Sequence, residues 1–124
     1  MNEHRPEFRF YYFTSAYDET VAFYRDVLRF PVYRSWDRDG GDRGTIFSVP
    51  GASGLIEIEA GEERPSIHGG FYIETADVDA RFDELRRAGA PIVKELGDTS
   101  YRHRNFRTVD PSGIELTFFR YLNE

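Results

Sequence analysis

FRFYYFTSAYDETVAFYRDVLRFPV, residues 8–32, and GGFYIETADVDARFDELRRAGAPI, residues 69–92, are two versions of one pattern. Phe10-Tyr11, Thr14 and Asp18 of the first return as Phe71-Tyr72, Thr75 and Asp79 of the second, each 61 residues on. Phe23 returns as Phe82, and Phe30-Pro31-Val32 as Ala90-Pro91-Ile92. Further along, Ile56-Glu57-Ile58 returns as Ile114-Glu115-Leu116 at an offset of 58. A conserved order with a drifting offset marks a duplicated unit with loop insertions and deletions. Such a unit builds its site where the halves meet. Here it sets two acids, Glu57 and Glu115, at matching strand positions.

Phe8 to Thr14 is aromatic and reads as a strand. Asp18-Glu19 opens a helix, with acids at its positive end. Val21, Phe23-Tyr24, Val27 and Leu28 continue it at helical spacing until Pro31 stops it. Val32–Trp36 and Thr45–Val49 are strands around a polar tip, DRDGGDRG at residues 37–44. Leu55–Glu59 alternates apolar with acidic. After a linker at 61–69, Phe71–Glu74 is a strand. Asp77–Ala88 is a helix with Val78, Phe82 and Leu85 as its stripe and Gly89 as C-cap. Ile92–Leu96, Phe106–Val109 and Ile114–Tyr121 are strands, with Asp110-Pro111-Ser112-Gly113 as a tight turn. Gly97–Arg104 reads as a loop over the site. The chain is therefore α+β. Two tandem β-α-β-β-β modules, 8–60 and 70–122, lie within a single domain, 1–124.

Composition narrows the function. The 124 residues suffice for one core, and their formal charge of −6 argues against nucleic acid as a partner. There is no cysteine, so no thiolate nucleophile, disulfide or cysteine-metal site. No apolar run approaches the ~18 residues of a membrane span, and no apolar segment follows the polar start. A soluble cytoplasmic protein is expected. Gly40-Gly41 and Gly69-Gly70 lack the Lys-Ser/Thr helix of a phosphate loop, and no Ser/His/Asp or Cys/His set stands in a recognisable frame.

Three motifs carry a resemblance. They are Ala22-Phe23-Tyr24-Arg25-Asp26-Val27-Leu28, Asp77-Val78-Asp79-Ala80, and Asp110-Pro111-Ser112-Gly113-Ile114-Glu115-Leu116. In this order, in a duplicated chain of this length, they resemble the vicinal oxygen chelate superfamily of glyoxalase I, bleomycin resistance proteins and extradiol dioxygenases. The resemblance spans about Phe8 to Tyr121. It implies a curved mixed sheet of paired modules around a cavity, and a homodimer. It does not fix the chemistry.

Metal-dependent relatives carry His, Glu or Gln on the first and fourth strand of each module. By motif position the four sites here are Arg9, Glu57, Gly70 and Glu115. Arginine offers a metal no lone pair, and glycine has no side chain. Two carboxylates alone make a poor site for Zn, Ni, Fe or Mn. The economical expectation is no metal and no cofactor. Arg9 would stand as the cation between Glu57 and Glu115, where one carboxyl can hold a proton. A metal alternative uses Glu57, Glu115 and His68, which the glycines at 69 and 70 leave free to turn. His103 lies among arginines, and His4 reads as a tail residue.

Strand alternation places Tyr11 and Phe13 with Arg9, and Tyr72 and Glu74 with Gly70. Leu55 and Glu59 go with Glu57; Thr117 and Phe119 go with Glu115. Trp36 and Phe47 are further candidate walls. Against each of these stands the plainer role of core aromatic or solvated charge. The lining suits a planar aromatic or cationic organic molecule. Three functions follow. One is metal-independent binding of a small molecule in a dimeric cup, with Glu57 and Glu115 as the key acids. A second is a divergent metal-dependent lyase, isomerase or ring-cleaving dioxygenase. The third is metal-free acid–base catalysis by a glutamate with a raised pKa.

Overall fold

The computed structural model describes residues 6–123. His4 lies outside the described residues. The chain forms two compact units, Met1–Pro65 and Ser66–Glu124, and the boundary falls inside the expected linker.

The first unit runs β1 (Phe8–Thr14), α1 (Tyr17–Ala22), β2 (Val32–Arg38), β3 (Asp42–Ser48) and β4 (Gly54–Ala60). Its sheet order is β1-β4-β3-β2. β1 runs parallel to β4, and the other pairs are antiparallel. Parallel neighbours need a crossover connection, and α1 supplies it. Tyr12 and Thr14 of β1, Thr45 and Phe47 of β3, and Ile56 and Ile58 of β4 are buried on the helix side. Tyr24, fully buried, stacks on Phe47 with ring centres 5.6 Å apart. The Tyr17 and Thr45 hydroxyls share a hydrogen bond of 2.8 Å.

After Ala22 the helix widens into a π-helical turn over Phe23–Val27. The Leu28 amide donates to the Phe23 carbonyl at 2.9 Å. The wide turn coincides with two consecutive buried aromatics, Phe23 and Tyr24. The helix ends before Pro31, with Arg29 in the left-handed region at φ 61°.

The second unit repeats the plan: β5 (Gly70–Glu74), α2 (Val78–Arg87), β6 (Lys94–Asp98), β7 (His103–Val109) and β8 (Glu115–Tyr121). Its sheet order is β5-β8-β7-β6, with β5 parallel to β8. Asp77 caps α2 by accepting from the Ala80 amide at 3.1 Å. Val78, Phe82 and Leu85 are buried as the spacing predicts, and Phe82 meets Phe106 at 5.2 Å. In the turn before β8, Asp110 Oδ1 accepts from the Ser112 amide at 2.8 Å and the Ile114 amide at 3.0 Å. Both units are thus four-stranded mixed sheets with one helix, the expected β-α-β-β-β plan.

Three boundaries differ from expectation. The polar tip at 37–44 is shorter, because β2 runs on to Arg38 and β3 begins at Asp42, leaving a 3-10 turn over Asp39–Gly41. Charged residues extend the hairpin because β2 is an edge strand exposed along its length, where polarity does not oppose pairing. The strand expected at 92–96 is Lys94–Asp98. Gly97–Arg104 is a hairpin rather than a loop over the site: the Thr99 amide donates to the His103 carbonyl at 2.8 Å, and Arg102 turns at φ 70°. Among the described residues no helix is long and apolar enough to cross a membrane.

The helix ends permit an internal comparison. Gly89 follows α2 at φ 85°, as the C-cap expectation holds, while Arg29 does the same work at φ 61°. A side chain in this conformation costs about 1 kcal/mol. Arg29→Gly should stabilise the protein by about 1 kcal/mol and Gly89→Arg should destabilise it by a similar amount. Urea denaturation of both variants checks this.

Candidate functional site

In the first unit, α1 covers one sheet face and leaves the other to Arg9, Tyr11 and Phe13 of β1 and Leu55, Glu57 and Glu59 of β4. The parallel register sets Tyr11 beside Glu57 and Phe13 beside Glu59. Tyr11 and Phe13 are 61% and 51% exposed and meet edge to face at 6.4 Å. An Arg9 Nη donates to Glu57 Oε1 at 2.7 Å, and the guanidinium also pairs with Glu7. The Glu57 side chain is only 12% exposed.

The two glutamates shift each other's titration in opposite directions. A hydrogen bond from Glu59 holds Glu57 below its ordinary range, helped by the Arg9 guanidinium. The same bond, with burial and the nearby Glu57 charge, pushes Glu59 up to about 7. Near neutrality this face therefore holds one carboxylate, one carboxyl poised to titrate and one permanent cation. The sequence expectation named Arg9 and Glu57 correctly as neighbours. It treated Glu59 only as a companion, although its place two residues from Glu57 on a half-buried strand was the available signal.

Trp36 lies flat on β3: a Cβ at Gly44 would come within 2.2 Å of its ring. Its indole N–H donates to Asp42 at 3.0 Å, and Arg38 sits over the ring at 5.6 Å. Trp36 also borders a cavity of about 480 Å³ with Tyr17, Asp18 and Arg43. Phe47 is not a wall. It is fully buried against Tyr24 on the helix side. The error has a physical source: Gly44, Thr45, Ile46 and Phe47 are all buried, so β3 offers no alternation from which to read its faces.

In the second unit the corresponding face carries Tyr72, Glu115, Thr117, Phe119 and, from β7, His103 and Arg107. Phe119 is buried beneath a cluster of rings. His103 stacks on it at 4.3 Å with 20° between planes, and Tyr72 and Tyr121 meet it edge-on at 5.8 and 5.2 Å. Tyr101 meets His103 at 5.1 Å. His103 Nδ1 is buried without a hydrogen-bond partner. The sequence reading weighed His103 only as a metal ligand and named neither Tyr101 nor Tyr121 for this face; the hairpin that brings Tyr101 and His103 against Phe119 had been read as a loop over the site. Glu115, Gly70, Tyr72, Arg107 and Thr117 line a pocket of about 180 Å³.

Strand register corrects the equivalence drawn from the repeat. Arg9 lies opposite Leu55 and Tyr11 opposite Glu57, whereas Gly70 lies opposite Glu115 and Tyr72 opposite Thr117. With Tyr11 and Tyr72 as counterparts, Thr117 answers to Glu57, and Leu55 to Glu115. A slip of two residues keeps every side chain on its face, so alternation alone could not expose it.

The metal-ligand positions were tested against these contacts. Arg9 has no lone pair and is already bonded to Glu57. At Gly70 a Cβ would lie 1.7 Å from the Glu115 carbonyl oxygen, so the position excludes any side chain in this backbone. His68 is exposed and precedes β5. Among the described residues no three His, Asp or Glu side chains gather as a metal site. The donor set does not fit the family's metal.

A family model described as the Glyoxalase/Bleomycin resistance protein/Dioxygenase superfamily matches residues 8–118. No curated protein sequence matches the chain. Solved structures share the fold. TioX from Micromonospora sp. ML1 is 21% identical, with a TM-score of 0.78, over 95% of this chain and 100% of that one. A superfamily member from Sphaerobacter thermophilus DSM 20745 is 19% identical, with a TM-score of 0.77, over 94% and 98%. TnmS3, an antibiotic binding protein from Streptomyces sp. CB03234, is 18% identical, with a TM-score of 0.74, over 98% and 99%.

The upward shift of Glu59 sets a pH dependence. Glu59 binds its proton more tightly folded than unfolded, so its contribution is fully present below the ordinary glutamate range. That contribution is lost as pH rises through about 7. Thermal midpoints should fall between pH 5 and pH 8. Glu59→Gln should flatten that fall and raise the midpoint at pH 8 by a few degrees, with little change at pH 5. Melts at the two pH values check both statements.

Proposed function

We propose, from the premise that this chain belongs to the glyoxalase/bleomycin resistance protein/dioxygenase superfamily, that it binds a planar, cationic organic molecule without a metal. The observation that carries the proposal is the pairing of exposed rings with acids on the first module: Tyr11 beside Glu57 and Phe13 beside Glu59. A ring face attracts a cation, and an adjacent carboxylate supplies the counter-charge. A flat ligand stacked there meets both at once. Arg9 fixes Glu57 in place, and Glu59 adds or withholds a second negative charge near neutral pH.

The antibiotic-binding description of TnmS3 supports binding as the activity for this fold. The lost donors at Arg9 and Gly70 support metal independence. A homodimer completing the cup is part of the proposal: Tyr11 and Phe13, 61% and 51% exposed, form an apolar face on β1, and a surface of this kind calls for a cover.

One observation favours a second function. Glu59, pushed up to about 7 beside a Glu57 held below its ordinary range, suits metal-free acid–base catalysis better than Glu57 does. In that case Glu57 is the ionised partner and Glu59 moves the proton.

Ethidium, a planar aromatic cation, should bind with its fluorescence enhanced, and more tightly than the anionic dye anilinonaphthalene sulfonate. Tyr11→Ala should weaken ethidium about tenfold, and EDTA should leave it unchanged. Preferred binding of the anion, or loss of ethidium binding with EDTA, would sink the proposal. Size-exclusion chromatography with light scattering reads the oligomeric state, and a monomer would remove the shared cup.

A further inference from the structure

The small pocket of the second module has an unusual electrostatic composition. Glu115 and Arg107 both line it, yet no ion pair joins them. Register explains the separation: Arg107 lies directly opposite Thr117, and Glu115 sits two residues away on the same strand. Such diagonal neighbours are about 7–8 Å apart. Arg107 is also held to its own position, because its Nε donates to Thr117 Oγ1 at 2.7 Å. That bond leaves the two terminal amino groups of the guanidinium for another acceptor. An anion and a cation thus face one cavity of about 180 Å³ without neutralising each other.

Gly69 and Gly70 form one side of the cavity, and the site of a Gly70 Cβ is filled by the Glu115 backbone. Tyr72, half exposed, forms the facing wall. A volume of this size holds about six waters, enough for a compact polar head group but not for a multi-ring molecule.

We infer that this pocket receives a zwitterionic amino-carboxylate group, with Glu115 accepting from the ammonium, Arg107 donating to the carboxylate and Tyr72 covering the carbon between them. A guanidinium with two free amino groups can grip a carboxylate through paired hydrogen bonds. Glu115 provides the matching acceptor across the diagonal. A ligand with only one of the two charges leaves the other protein group desolvated and unpaired, which is the source of discrimination. The inference extends the binding function to a ligand head group but rests on different residues from Tyr11, Glu57 and Glu59.

Amide NMR spectra of the full chain test it with three probes of one shape. L-phenylalanine carries both charges, phenylalanine amide only the ammonium, and 3-phenylpropionate only the carboxylate. L-phenylalanine should shift the Gly69, Gly70 and Tyr72 amide signals and bind at least tenfold more tightly than either analogue. Glu115→Gln should reduce L-phenylalanine to the level of 3-phenylpropionate, and Arg107→Gln to that of the amide. Equal binding of the three probes, or shifts that avoid these amides, would overturn the inference. The comparison of probes on the unaltered protein decides the matter even if a variant fails to fold. Ethidium binding together with indifference to L-phenylalanine would end this inference and leave the proposed function standing.

Discussion

A four-stranded sheet has two faces, and each module has one helix with which to cover them. That shortage organises the molecule. α1 and α2 bury Phe47, Ile56 and Ile58 in one module and Phe106, Leu116 and Phe118 in the other. The opposite faces keep large rings in contact with solvent, among them Tyr11, Phe13, Tyr72, Tyr101 and Tyr121. The parallel pairs β1–β4 and β5–β8 then decide which polar group stands next to which ring. Function is grafted onto the face that the fold leaves bare.

The electrostatics of the first module show how a cation built into the chain changes such a face. Where relatives place metal ligands, Arg9 brings a charge that needs no loading and cannot be chelated away. The hydrogen bond from Glu59, helped by the Arg9 guanidinium, holds Glu57 below its ordinary range, and Glu59 is pushed up to about 7. The result is a face whose charge changes by one near neutral pH.

Much of this was legible in the sequence. The repeat, the two helices and the Asp110–Gly113 turn followed from residue type and spacing, and the proximity of Arg9 to Glu57 from the positions that the family resemblance implies. What escaped has one physical origin: strand patterns have a period of two. They cannot distinguish a register from its neighbour two residues away, so Glu57 and Glu115 looked equivalent when Glu57 answers to Thr117. Nor can they orient a strand buried on both sides, which is why Phe47 was set in the wrong layer. The proton on Glu59 and the ring cluster around His103 depend on distances between strands, and those enter only with the fold.

The glycine at position 70 carries a consequence for any attempt to redesign the site. Its neighbour across the sheet has moved in so far that the Glu115 backbone occupies the volume of a Cβ. Replacing this glycine by histidine would not by itself create the room for the side chain. Recovering a ligand would require the β5–β8 pair to separate first, against the hydrogen bond from the Glu115 amide to the Gly69 carbonyl. A side chain at position 70 is therefore a change of backbone as well as of residue, and one substitution does not accomplish it.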